Sequence, residues 1–395
     1  MKTFSPMRFT TLAAATLMAP YALAANPAFQ NTVDVAAGSI CPNSGFTSPL
    51  CTQSNLSGAS EDSLAPTQSL ANNEGGLEQA RKLAQNGQAA PSGGKIDIGP
   101  FSLLLNGRAS WFERDPGTLE RGYDGDAYSV QLGLDKRLSP ATVVGGFLAF
   151  ERSRSEFGRD PANVSTQSSE GKSDADTLSL IVYGAHNLSD ALYIEGAAGY
   201  GTSDYEFTRS VYYQPTGGGA ITPVSTTGDT NGKNYWMSLG TGYELASGAA
   251  SITPYARLTY AHSTTDGYSE TELTATGLAM RYSDANRSSL TATLGLRAGM
   301  TQSYSWGVLA PFFKLEYEHE FRNDPQKINT AFVLDDANTI FTPAGQEPDR
   351  DYFHLGAGTQ FILPHGWISF IEVEALLGHR DLDRSRLLLG LRKEL

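Results

Sequence analysis

No window of this sequence holds the ~18 to 20 uninterrupted apolar residues of a membrane-spanning helix, which excludes a helical inner-membrane protein but leaves strands open. Cysteine is almost missing. Cys41 and Cys51 are too few for a thiolate-rich metal site or a disulfide-dense scaffold. Positive charge is scarce as well: 29 Lys and Arg stand against 42 Asp and Glu, a formal net charge of −13. That balance lacks the basic stripe of a nucleic-acid binder. The run Gly217-Gly218-Gly219 sits in a polar loop rather than between a strand and a helix, so it is no phosphate cradle. With six histidines and no ligand-spaced cluster, the chain implies no metal and no cofactor.

Glycine and aromatic residues are abundant instead: 41 Gly, 18 Tyr and 18 Phe suit turns, bends and interfacial girdles. The amino terminus carries Lys2 and Arg8, then an apolar, alanine-rich run from Phe9 to Tyr21. Ala22-Leu23-Ala24 fits a small-x-small cleavage site, so residues 1–24 are expected to be a signal peptide. In an oxidising periplasm Cys41 and Cys51 would pair as one disulfide closing a small loop. Residues 25–73, rich in Ser, Thr, Asn, Ala, Gly and Pro, show no sustained period and are expected to be a short irregular exported segment. Residues 74–98 read as a linker helix and hinge. Leu77, Ala80, Leu83 and Ala84 recur at helical spacing between Glu74 and Asn86, with acids early, Arg81 and Lys82 later, and Gly87 as a stop. Pro91-Ser92-Gly93-Gly94 supplies the hinge.

Beyond residue 99 the dominant signal has period two. From Leu309 the odd positions are Leu309, Pro311, Phe313, Leu315, Tyr317, His319 and Phe321, while the even ones include Lys314, Glu316, Glu318 and Glu320. Successive side chains of a strand point to opposite faces, so one face is apolar and the other charged. Leu290 to Met300 against Ser289 to Arg297, and Ile371 to Leu377 against Glu372 and Glu374, repeat the design. A soluble sandwich would turn the apolar face to a core, a membrane barrel to lipid.

Twelve strand-like segments follow: 99–113, 125–138, 141–153, 174–187, 190–207, 233–246, 250–263, 287–302, 306–321, 350–363, 366–379 and 384–394. Short turns alternate with long polar connections at 154–173, 208–232, 264–286 and 322–349. An even strand number with tight turns at one end and long loops at the other is the plan of an outer-membrane barrel, predicting an all-β, twelve-stranded, antiparallel up-and-down transmembrane barrel over 99–395. Charge at the bilayer midplane costs roughly 2 to 4 kcal/mol for Lys or Arg. Arg257, Arg297, Lys314, Glu316, Glu372 and Glu374 are therefore expected to face the lumen.

From Ile252 onward the sequence resembles the translocator barrels of the autotransporter family. Thr253-Pro254-Tyr255, Asp266-Gly267-Tyr268-Ser269-Glu270, Ser288-Ser289-Leu290, Leu294-Gly295-Leu296-Arg297, Pro311-Phe312, Glu318-His319-Glu320-Phe321 and Gly390-Leu391-Arg392 follow in the family's order. The resemblance covers roughly 95–395. It implies a barrel with a helix from the preceding linker in its lumen, and a helix ~10 to 12 Å across suits so small a bore. Two departures stand out: Leu395 replaces the family's terminal Phe, and the exported segment is too short for a solenoid passenger.

Catalytic constellations are weak. A barrel lipase would need an outward Ser beside a His and a polar orienter, but His319, the most suggestive histidine, lies on the apolar face near a strand end, where an interfacial imidazole is ordinary. Asp335-Asp336, Asp349 and Asp351 with His354 supply the residue types of a barrel protease but equally those of solvated acidic loops, as do Asp174 and Asp176. Asn72-Asn73 is either a pair capping the linker helix or, by the resemblance, a self-cleavage pair acting by Asn cyclisation beside a luminal acid. The expected function is a non-enzymatic autotransporter translocator moving its own N-terminal segment across or into the outer membrane. The alternatives are a barrel lipase or protease and a passive porin-like channel. The expected surroundings are outer-membrane lipids, periplasmic chaperones and the barrel-assembly machinery, with the barrel monomeric.

Overall fold

A computed structural model describes residues 55–57, 101–115, 122–158, 169–214, 222–272, 277–322, 328–340, 342 and 349–394. Twelve long strands make the wall: β1 (Phe101–Arg114), β2 (Tyr123–Ser139), β3 (Thr142–Gly158), β4 (Ser169–Asn187), β5 (Leu192–Gln214), β6 (Thr222–Tyr243), β7 (Ala250–Thr265), β8 (Ala285–Met300), β9 (Gly307–Glu320), β10 (Asp351–Leu363), β11 (Trp367–Leu377) and β12 (Leu382–Glu394). Each pairs antiparallel with its neighbours in sequence. β12 closes on β1 from Leu382 opposite Arg114 to Glu394 opposite Ser102, so the wall has no open edge. Cys41, Cys51, Asn72, Asn73 and the 74–86 segment lie outside the described residues.

The two faces follow the sequence alternation. In β9, Phe313 and Leu315 are exposed while Phe312, Lys314, Glu316, Glu318 and Glu320 are buried. The outer surface is an apolar belt including Leu132, Leu148, Leu180, Leu258, Leu294, Val373 and Leu389. In water such a belt would be an aggregation surface; in lipid it costs nothing and the polar backbone is satisfied by the closed ladder.

The long-loop end differs from the sequence expectation. β3, β4, β5 and β6 run on into 154–173 and 208–232, and β5 and β6 stay paired as far as Tyr213 opposite Thr222. Both faces of these extensions carry polar residues, so no apolar alternation announced them. The backbone ladder holds them together, with exposed cross-strand pairs such as Arg154–Asp174 at 3.3 Å alongside. β4 covers β5 only as far as Arg209, and Asn55–Ser57 pairs antiparallel with the bare edge at Tyr212–Gln214. Further structure lies in the connections after β7 and β9: Tyr268–Ser269, Met280–Tyr282 and Thr330–Phe332 form a three-stranded sheet.

The lumen as candidate functional site

The inward side chains of β7 and β9–β12 build a charged wall. Lys314 is fully buried, with its Nζ 2.7 Å from Glu374 Oε2, 3.2 Å from Glu372 Oε1 and 3.4 Å from Glu316 Oε2. It reaches β11 by crossing over Gly356 of β10, which is paired with Lys314 on one side and Glu374 on the other. A Cβ at Gly356 would meet Lys314 Cε at 2.9 Å, so glycine is what lets the ammonium span two strands. The carboxylates have further partners. Tyr255 donates to Glu316 at 2.6 Å, Arg257 lies 3.4 Å from the same oxygen, and Arg386 donates to Glu374 at 3.2 Å. His354 sits between Glu318 and Glu374 at 3.4 Å from each, an ion-pair distance rather than a formed hydrogen bond. Tyr352 donates to Glu318 at 2.7 Å.

The opposite wall is apolar near the tight turns. Val143, Phe147, Ala149, Ile181, Tyr183, Ala197 and Trp236 cluster there, with the Phe147 and Tyr183 rings stacked at 5.3 Å. Charges also stand among them, including the pairs Arg108 with Glu151 and Arg392 with Asp135 at 3.2 Å, and Glu195 on the row of Tyr193 and Ala197. The lumen thus offers apolar surface on one side and charges of both signs on the other.

Of the six residues chosen from sequence, the structure brings Arg257, Lys314, Glu316, Glu372 and Glu374 into one network. Arg297 points the same way, half-buried, with its guanidinium 4.0 Å over the Phe312 ring. Sequence reasoning did not single out Tyr255, His354 or Arg386 for this network. Parity could have found them, since each shares a row with residues already assigned inward.

Alternation also breaks up the catalytic candidates. Asp351 and His354 take opposite faces, and Asp349 pairs with Arg380 at 3.0 Å instead. His319 Nδ1 lies 2.7 Å from Asp351 Oδ1, which also accepts from Tyr317, but among the described residues no serine hydroxyl bonds to His319. Asp174 and Asp176 are outward and paired with Arg154 and Arg152.

A family model described as the autotransporter β-domain matches residues 103–374. The chain belongs to this family. An autotransporter β-domain is a bacterial outer-membrane barrel, so the belt faces lipid, the tight turns the periplasm and the long loops the exterior. Esterase EstA of Pseudomonas aeruginosa is 27% identical over 266 residues, 66% of this chain and 38% of that protein. The extracellular serine protease of Serratia marcescens is 25% identical over 243 residues, 61% of this chain and 21% of that protein. The chain thus spans well under half the length of these relatives. Among solved structures, the translocator domain of autotransporter NalP from Neisseria meningitidis matches with a TM-score of 0.59 at 15% identity, over 82% of this chain and 97% of that one. The β-domain of the Bordetella autotransporter BrkA matches at 0.53 and 16% identity, over 75% of this chain and all of that one. These likenesses bear on the fold.

Proposed function

We propose that this β-domain carries its own N-terminal segment through the lumen to the outer surface, and that it performs no catalysis itself. The observation that carries the reading is the two-walled lumen. An amphipathic helix over Glu74–Asn86 would lay Leu77, Ala80, Leu83 and Ala84 on the apolar wall and present Glu78, Arg81 and Lys82 to the charged one. The chain enters β1 at the periplasmic end, whereas Asn55–Ser57 pairs with the outer end of β5, which also favours a path through the barrel. Residues 1–24 act as the export signal, 25–73 as the exported segment with Cys41 joined to Cys51, and 74–98 as the linker. Insertion relies on periplasmic chaperones and the barrel-assembly machinery, and the finished barrel is a monomer in lipid.

Two measurements test this. An epitope inserted within 25–73 should bind antibody on intact cells; binding only after lysis would place the segment in the periplasm. Protein lacking residues 25–94 should open larger and steadier channels in planar bilayers than the full chain. Equal conductance would favour the porin-like alternative.

A further inference from the structure

The barrel mouth is marked by Thr265 of β7, which pairs with Gly232 of β6 and Ala285 of β8. The β5–β6 hairpin projects beyond this level. On β5, Asp204 and Glu206 are exposed, whereas Tyr205, Phe207 and Arg209 are buried. The buried set keeps the parity of luminal Ser203, so it points toward the barrel axis above the membrane. A projecting hairpin with nothing on that side would leave these rings and a guanidinium in water. They are covered by the connection after β7, which the connection after β9 backs in turn.

Arg209 is the centre of the contact. Its guanidinium makes a bidentate pair with Glu270, with Nε 2.8 Å from Oε1, and donates to the Leu278 carbonyl at 2.9 Å. Glu270 also accepts from the Met280 N–H at 2.9 Å and from the Tyr282 hydroxyl at 3.3 Å. Phe207, Tyr268 and Tyr282 stack in series at 5.3 and 4.9 Å, with Tyr268 over Gly228 of β6, where any side chain would displace the ring. Backbone pairing extends the attachment: Thr271 and Glu272 add to β6 at Thr227 and Thr226. Met280–Tyr282 then pairs with Thr330–Phe332, tying the second connection to the first. Buried Asp335 secures the turn that follows, accepting from the Ala337 and Thr339 N–H groups at 3.0 and 2.7 Å.

We infer that 266–272, 277–284 and 328–340 form a folded lid over the outer mouth, latched to the projecting hairpin by Arg209 and Glu270. Free loops would fray outward, because water solvates their backbone as well as any partner does. Here a buried, bidentate ion pair and an aromatic stack fix 266–272 and 277–284 on the axial side, while Thr271–Glu272 holds to the β6 edge beyond β7 and Met280–Tyr282 carries 330–332. The latch is charge-dependent and local, so the lid can open without breaking the wall.

The test reads access to the lumen from outside. In a full-length chain with Cys41→Ser and Cys51→Ser, Ser203→Cys places one thiol at the mouth beneath Phe207. Intact cells are treated with a membrane-impermeant maleimide. Labelling should be slow with the latch intact and about tenfold faster or more in Arg209→Met, since removing one partner strands a buried carboxylate. Thr227→Cys with Thr271→Cys, opposite each other with hydroxyls 3.2 Å apart, should restore slow labelling in that variant when oxidised and lose the effect on reduction, with the label located to position 203 by peptide fragmentation so that the freed crosslink thiols do not count. Assembly is checked by heat-modifiable gel mobility. Glu270→Gln, which keeps the shape and removes only charge, is read the same way where Arg209→Met fails to assemble. Unchanged labelling in the unlatched barrel, or no slowing by the oxidised crosslink, overturns the lid.

Discussion

Lys314 offers the sharpest test of the luminal wall. Replacing it with Met keeps most of the side-chain volume over Gly356 but removes an ammonium that touches three carboxylates. Arg257 and Arg386 remain near Glu316 and Glu374, so the loss falls most heavily on Glu372, which is itself fully buried. Stranding a buried charge costs about 3 to 5 kcal/mol, an upper figure where luminal water reaches the site. Adding Glu372→Gln should recover about 1 to 3 kcal/mol, because the double variant removes the charge that the single one strands. Gly356→Val should reproduce part of the loss without touching a charge, since its Cβ would sit 2.9 Å from Lys314 Cε and 3.3 Å from Glu372 Oε1. The outward Arg152–Asp176 pair serves as control: its side chains are 52% and 36% exposed, and Arg152→Met should leave the midpoint unmoved. The assay is equilibrium urea unfolding of the folded barrel in lipid vesicles, followed by gel mobility. A Lys314→Met cost below about 1 kcal/mol, or a double variant that is simply additive, would show that the network does not hold the wall together.

Two further outcomes are expected. Single cysteines at Leu294 and Leu315 should react with lipid-soluble thiol reagents and those at Arg297 and Glu316 with water-soluble ones, because period-two register fixes all four together; indiscriminate labelling would mean the register is wrong. His379, in the outer connection between β11 and β12, is held below the usual imidazole value by burial, with Arg114 and Arg384 adding to it against the pull of Asp349. The unfolded chain therefore takes up the proton first, so this group's contribution is full above pH ~6.5 and is lost as pH falls below it. His379→Gln should flatten the acid-side loss of stability relative to the native chain, and an identical slope in both would discard the assignment.

The twelve-strand wall was legible in the sequence because alternation is local. A strand's faces are decided by neighbours two residues apart, and lipid enforces the pattern on every turn of the pleat. Phe313 and Leu315, flanking Lys314, already say that the ammonium points inward. The same logic was blind where both faces carry polar residues. The extensions of β3 to β6 alternate Arg, Asp, Ser and Thr, and the tips after β7 and β9 look like ordinary polar loops.

Partner choice across the lumen was also beyond the sequence. Lys314 meets Glu374 sixty residues away because β10 contributes Gly356 between them, and only the register of three strands places that gap. Arg209 finds Glu270 across 61 residues because the hairpin projects and the next connection folds inward over it. Sequence by itself determined the twelve strands where they alternate, their two faces and the inward side of luminal charges such as Lys314 and Glu372. Tertiary structure alone decided which charges meet and where the outer connections lie, since both depend on closing the barrel and on how far each hairpin outruns its neighbours.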